Sequence, residues 1–466
     1  MNYSLYTDFY ELTMAQGYFL TGIHERKAVF DYFFRSNPFQ GGYVVFAGLE
    51  TLLEALENFK FGTKEIDFLR KQNFDKEFLN YLENLRFEGN IYSVKEGEIV
   101  FPNEPLLRIE TNLVQAQLIE TLLLNILNFQ SLVATKARRI VYASKNKAVL
   151  DFGMRRAQGL GALWASRAAI IGGCVATSNV LAAELYGISP SGTMAHSWIQ
   201  SFESEYEAFK KYAEIYKSKT VLLLDTYNTL QSGLPNAIKI AKELEKEGEK
   251  LLAVRLDSGD LAFLSREVRK QLDNAGLDYV KIAVSNKLDE YIIKSLNEQG
   301  AKIDLYGVGT KLVTAFPDGA LDGVYKLSEI EGLPTMKLSD NPEKTTLPGK
   351  KKIIRFYNGS EQFYGDAIVL DVENPPEKYF HPHYPEKFKL VRGLPHEELL
   401  QPQIVNGERS SKKLSVTEIA EFSEKRFHQL PEEMKRFDFP HVYKVGISSK
   451  LMGLRNKLKL ELNGRR

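Results

Sequence analysis

A single cysteine in 466 residues, Cys174, excludes an internal disulfide and with it the stapled scaffolds of small secreted domains. It lies in an apolar, glycine-flanked run and reads as a packing position. Net charge is nearly absent as well, with 61 Lys and Arg against 60 Asp and Glu leaving +1. That balance removes the electrostatic footprint of a nucleic-acid or anionic-membrane binder, although a local anion site remains open. No apolar run approaches the roughly 18–20 residues of a membrane span. The first twenty residues carry Asp8 and Glu11 among aromatics and lack the basic start and apolar core of a secretory signal. A cytoplasmic protein without membrane or nucleic-acid partners is expected. There is no HExxH, no CxxC and no P-loop. The nearest glycine motif, Gly307-Val308-Gly309-Thr310-Lys311, lacks the third glycine of a dinucleotide loop, so phosphate or ATP must be held some other way.

At 466 residues and 44% hydrophobic content, the chain has enough apolar material for two domains. Residues 1–130 mix a helical pattern with aromatic strand-like runs such as 28–34, and residues 91–109 alternate apolar and polar between turn signals. Both are marks of an α+β domain with short antiparallel strands. A long apolar helix is expected from about Leu113 to Ser144. From 148 to about 327, buried β-runs alternate with amphipathic stretches at 203–216, 235–247 and 261–275, which argues for parallel β/α units. The expected division is an N-terminal α+β domain over 1–130 and a barrel domain over 131–335. A C-terminal segment over 336–466 would return to the first part and complete a discontinuous α+β domain. That segment shows strand-like runs at 352–357 and 367–372, a Pro-rich stretch from 375 to 402, and charged helices to the end.

The apolar runs of the central region end in polar groups. They run into Asp151-Phe152-Gly153, Asp225-Thr226-Tyr227, Asp257-Ser258-Gly259-Asp260, Ser285-Asn286 and Gly309-Thr310. In an irregular β/α-barrel these strand ends converge on one bowl. A doubly wound open sheet also places ligands at strand carboxyl ends, so both architectures stand at this point. Gly307 and Gly309 suit either close backbone approach to an anion or a plain tight turn. Phe152 can stack on a flat heterocycle and Arg155 can fork a phosphate, or the Arg155-Arg156 pair is a solvated helix start. Asp225 and Asp257 can hold ribose hydroxyls or a phosphate-bound Mg²⁺, or simply cap helices. His196, one of seven histidines, lies in Gly192-Thr193-Met194-Ala195-His196-Ser197-Trp198. It is either a hydrogen-bonded structural residue or a nucleophile able to carry a phosphoryl group.

Taken together, Thr7–Met14, Phe33–Phe39, Asp151–Gly159, Thr177-Ser178-Asn179, Gly192–Trp198, Arg255–Leu261 and Gly307–Thr310 resemble the nicotinate phosphoribosyltransferase family, in order, over residues 1 to about 370. The resemblance implies a type II phosphoribosyltransferase fold. It also implies the ATP-coupled conversion of nicotinate and phosphoribosyl pyrophosphate to nicotinate mononucleotide and pyrophosphate, the entry of nicotinate into NAD synthesis. On the same basis Tyr10, Thr193 and Arg255 bind nicotinate, Thr310 binds the phosphoribosyl donor, and His196 is the phosphorylated histidine. Mg²⁺ and ATP are the implied cofactor and cosubstrate. The implied assembly is a homodimer with sites at the subunit interface, so that Tyr10 serves the neighbouring subunit.

Two rivals are weighed against that expectation. A nicotinamide phosphoribosyltransferase would place an aspartate at the position of Ser178 to accept from the amide, and an aspartate there would repel a carboxylate. A non-catalytic barrel binding phosphorylated metabolites would have no need of Arg255, Thr310 and His196 together.

Overall fold

The computed structural model describes residues 2–339 and 344–463, and the chain divides into two compact units. The first comprises Met1–Leu132, Ala320–Leu414 and Glu421–Arg466; the second comprises Val133–Gly319 and Ser415–Ala420. The second unit thus stops near 319 rather than at 335. The strand Gly323–Ile330 pairs antiparallel with Lys27–Phe34, and the Tyr325 ring stacks on Phe30 at 4.7 Å between centroids. These aromatic contacts join residues about 300 apart, a pairing that local sequence pattern does not reveal. The final residues 464–466, read as helical from sequence, lie outside the described residues.

The first unit carries a two-stranded sheet that pairs Val44–Val45 with Ile99–Val100, and two large sheets. One orders Leu333–Pro334, Gly323–Ile330, Lys27–Phe34, Leu107–Asn112, Asn90–Ser93, Gln401–Val405 and Glu408–Arg409. The other contains the C-terminal strands Lys351–Tyr357 and Phe363–Leu370, flanked by short strands that include Lys378–Phe380, Phe388–Leu390 and His396–Glu398. The Pro-rich stretch therefore contributes strands as well as loops. Buried charge ties this tail to the N-terminal part. Arg355, fully buried, donates to Asp366 and to Glu98, at 2.7 Å in each case.

The expected long helix is interrupted. It forms as Leu113–Leu118 and Glu120–Ala143, with Ile119 between them. The new helix start needs acceptors for its free N–H groups. The Glu11 carboxylate provides one, accepting from the Thr121 N–H at 3.1 Å and the Thr121 hydroxyl at 2.6 Å. Glu11 lies on the helix Phe9–Leu20 and is fully buried. Burial lifts its carboxyl from 4.5 to about 7, against the lowering pull of hydrogen bonds from Thr121 and Thr7. A carboxyl whose folded pKa lies above its unfolded one takes up a proton on folding, so its contribution is complete below about pH 4.5 and is lost as pH rises through about 7. In melting curves between pH 5 and 8, Glu11→Gln should gain stability relative to the natural protein as pH rises. An unchanged difference across that range would contradict this reading.

The second unit carries a six-stranded parallel sheet. Its order is Ala176–Thr177, Ala148–Asp151, Leu305–Val308, Lys281–Ser285, Ala253–Leu256 and Val221–Leu223. Apart from one interruption this is sequence order wrapped into a ring, with the last strand, 305–308, paired to the first, 148–151. A doubly wound sheet reverses direction from a central strand instead. The arrangement is an irregular β/α-barrel with no ladder between Thr177 and Val221. The intervening chain supplies the helices Val180–Tyr186, His196–Gln200 and Glu205–Tyr216. Cys174 is buried as expected, and burial pushes its thiol pKa up. Among the described residues no helix is long and apolar enough to cross a membrane.

Candidate functional site

Parallel register sets which side chains meet at the barrel mouth. Arg255 pairs with Leu223 and Ala283, Ser285 with Gly307, and Asp151 with Val308 and Thr177. The polar residues that end each strand therefore come together although they are scattered over more than 150 positions.

Arg255 is the centre of the arrangement. Its Nη1 donates to the Thr193 hydroxyl at 2.8 Å, its Nε to the Ser285 hydroxyl at 3.0 Å, and its Nη2 to Asp257 Oδ1 at 2.9 Å. Ser285 also donates to Asp257 Oδ1. The guanidinium lies 5.8 Å from the centre of the Phe152 ring. Asp225 continues the network, its Oδ2 accepting from the Asp257 N–H at 3.0 Å and from the Ser258 hydroxyl. His196 reaches the next residue, with Nδ1 3.0 Å from the Thr226 hydroxyl. Two contacts thus fix the segment 193–196 on the barrel mouth: Thr193 on Arg255 and His196 on Thr226.

Asp151 has a different task from its neighbours. Fully buried, it accepts from the hydroxyls of Ser166 at 2.8 Å and Thr177 at 2.7 Å and from the Gly153 N–H at 2.8 Å, while its carbonyl accepts from the Ser178 N–H. It anchors the two loops that present Phe152 and Ser178. Gly307 is required beneath the Phe152 ring, since a Cβ there would lie 2.5 Å from the ring. Thr310 is exposed and opens the one-turn helix Thr310–Val313, and Lys311 pairs with Asp289. Arg155 is exposed in the 3₁₀ turn Met154–Arg156. Tyr10, on the helix Phe9–Leu20 of the first unit, is 48% exposed.

Two hydroxyls, Ser285 and Thr226, escape the sequence reading as site residues. Both stand at strand ends that the sequence singles out, but the register that turns them toward Arg255 and His196 is a property of the closed sheet.

Three family models match the chain in succession. They are the nicotinate phosphoribosyltransferase N-terminal domain over residues 5–128, the nicotinate phosphoribosyltransferase family over 148–373, and its C-terminal domain over 350–455. The nicotinate phosphoribosyltransferase of Bacillus subtilis is 46% identical over 458 residues, covering 96% of this chain and 93% of that protein. The chain belongs to the nicotinate phosphoribosyltransferase family. The Caenorhabditis elegans nicotinate phosphoribosyltransferase is 37% identical, with 98% and 93% covered. The crystal structure of human nicotinic acid phosphoribosyltransferase superposes with a TM-score of 0.88 at 31% identity, covering 97% of this chain and 99% of that one. A nicotinate-nucleotide pyrophosphorylase from Pyrococcus furiosus follows at a TM-score of 0.73 and 28% identity, with 91% and 95% covered.

Among the described residues no group of three or more His, Cys, Asp or Glu is disposed to hold a metal. Mg²⁺, however, commonly takes only one or two carboxylates and completes its shell with water and substrate phosphates. Asp225 fits that requirement: its Oδ1 is buried and without a hydrogen-bond partner among the described residues, next to Asp257.

Proposed function

We propose that the protein joins nicotinate to phosphoribosyl pyrophosphate, giving nicotinate mononucleotide and pyrophosphate with coupled ATP hydrolysis, the first step of NAD synthesis from nicotinate. The observation that carries this reading is Arg255, held at the mouth of the barrel beside the Phe152 ring in a chain that the family covers almost throughout.

Arg255 and the Thr193 hydroxyl receive the nicotinate carboxylate, and Phe152 stacks on one face of the pyridine. Tyr10 of a second copy closes the other face, an assignment supported by the half-exposed ring on its helix. So oriented, the pyridine nitrogen lone pair forms a bond to C1 of the ribose as the bond from C1 to pyrophosphate oxygen breaks. Positive charge develops at C1 and negative charge on the leaving group. No proton is lost from the ring, so no general base is needed, and positioning supplies most of the rate. Thr310 and the Gly307–Gly309 backbone hold the donor, with Arg155 at the rim. Asp225 and Asp257 would hold Mg²⁺, which when bound offsets the charge gathering on pyrophosphate. His196 receives a phosphoryl group from ATP.

Ser178 favours the acid over the amide as substrate. At the end of strand 176–177 its N–H is fixed on the Asp151 carbonyl, and its side chain is a hydroxyl, which offers no carboxylate for an amide N–H₂. Gly307→Ala should displace the Phe152 ring and raise the KM for nicotinate about tenfold, with the melting temperature within a few degrees of the natural protein. The reading as a whole is tested by incubating the protein with nicotinate, phosphoribosyl pyrophosphate and Mg²⁺ and following pyrophosphate and nicotinate mononucleotide. Equal release of both is expected, and pyrophosphate release independent of nicotinate would overturn it.

A further inference from the structure

Arg255 has five N–H donors, three of them already engaged by Ser285, Thr193 and Asp257, so two remain, one on each terminal nitrogen. The edge formed by Nε and Nη2 is closed by a pair of groups, the Ser285 hydroxyl and Asp257 Oδ1, which are hydrogen-bonded to each other. Ser285 is 4% exposed. Parallel pairing places Ala283 beside Arg255, and Ser285, two residues further on, projects from the same face of its strand.

We propose that Ser285 is a positioning residue for base recognition: its hydroxyl satisfies Arg255 Nε and occupies Asp257, leaving the outer edge of the guanidinium to the substrate carboxylate. The inference rests on the reading that Arg255 receives that carboxylate. Carboxylates pair most strongly with arginine when two parallel N–H groups are offered. Without the hydroxyl, Arg255 Nε–H has no acceptor there and Asp257 is free to take Nε and Nη2 together. The guanidinium then turns toward Asp257 and its charge is spent inside the protein. Ser285 thus works by preventing a stronger internal ion pair from competing with the substrate.

Ser285→Ala removes the hydroxyl with almost no change of volume. The KM for nicotinate should rise about tenfold, the loss of one hydrogen bond to a charged group, while the KM for phosphoribosyl pyrophosphate stays within about twofold. The preference for nicotinate over nicotinamide, taken as a ratio of kcat/KM values, should fall by a similar factor, because the amide gains little from a well-placed guanidinium. Ser285→Thr, which keeps the hydroxyl, should restore most of that ratio. The ratio is measured on the folded fraction alone, so it remains valid even if a variant melts early. Equal changes for both substrates, or an unaltered acid-to-amide ratio in Ser285→Ala, would overturn the proposal. Failure of the natural protein to use nicotinate would instead overturn the function on which it rests.

Discussion

Arg255→Ala should raise the KM for nicotinate by roughly a hundredfold and leave that for phosphoribosyl pyrophosphate within about threefold. Hydrogen bonds to charged groups contribute about 1.5–3 kcal/mol each, and a factor of ten corresponds to about 1.4 kcal/mol. Loss of the guanidinium removes such bonds to the carboxylate. It also strips Asp257, held by the arginine at 2.9 Å, of that partner and so leaves a less compensated negative charge beside an anionic substrate. The penalty is thus larger than a missing contact. Thr310→Ala should show the opposite bias, with about tenfold weaker use of the donor and little change for nicotinate, because Thr310 opens the helix after strand 305–308 while Arg255 lies within strand 253–256, one residue before its end. Parallel changes for both substrates in both variants would show that the two subsites are not divided in this way.

His196→Asn should abolish ATP stimulation while preserving a basal condensation rate. Condensation at C1 is complete in atoms and charge without ATP, so coupling requires an intermediate that stores a phosphoryl group, and neutral imidazole can accept one. His196 Nδ1 lies 3.0 Å from the Thr226 hydroxyl, and in the tautomer where Nδ1–H donates to it, the proposed transfer has Nε2 attacking the γ-phosphorus of ATP as ADP leaves. The product is a phosphoramidate, labile in acid and stable in base. The variant should therefore carry no acid-labile label from γ-labelled ATP, whereas the natural protein should carry about one per site. Arg255 and Thr193 are untouched by the substitution, which is why basal activity should survive. Full ATP stimulation in the variant, or label that withstands acid, would remove His196 from this role.

Local pattern made the second unit readable. Five of the six parallel strands are short apolar runs that lead into Asp, Ser or Gly, and the helices between them carry the 3.6-residue period, so their positions follow from residue order alone. The two-residue strand Ala176–Thr177 has no such pattern and is not legible in the sequence. Closure is the part that local pattern leaves open, because it depends on strand 305–308 finding strand 148–151 across more than 150 residues. The same range limitation explains why strand 323–330 looked like the end of the barrel; its partner is the strand 27–34. In the candidate site, Phe152 and His196 announce themselves by residue type, whereas Arg255 is singled out only by the family resemblance. Ser285, Thr226 and Asp151 act through direction instead, and a hydroxyl or carboxylate aimed inward cannot be told from one aimed at water until register is fixed. Glu11 is a further case. Its motif is visible in sequence, but its place at the start of helix 120–143 requires the break at Ile119.

The central claim is that the pocket recognises a pyridine monocarboxylate. The direct measurement is kcat/KM for nicotinate, nicotinamide and quinolinate in parallel, each with phosphoribosyl pyrophosphate and Mg²⁺, with and without ATP. Nicotinate should exceed nicotinamide by at least ten- to a hundredfold, the worth of the charge-assisted bonds that Arg255 would otherwise leave unmade, and should also exceed quinolinate, whose second carboxylate has no assigned cation. Equal efficiency with nicotinate and nicotinamide, or a preference for quinolinate, would contradict the account.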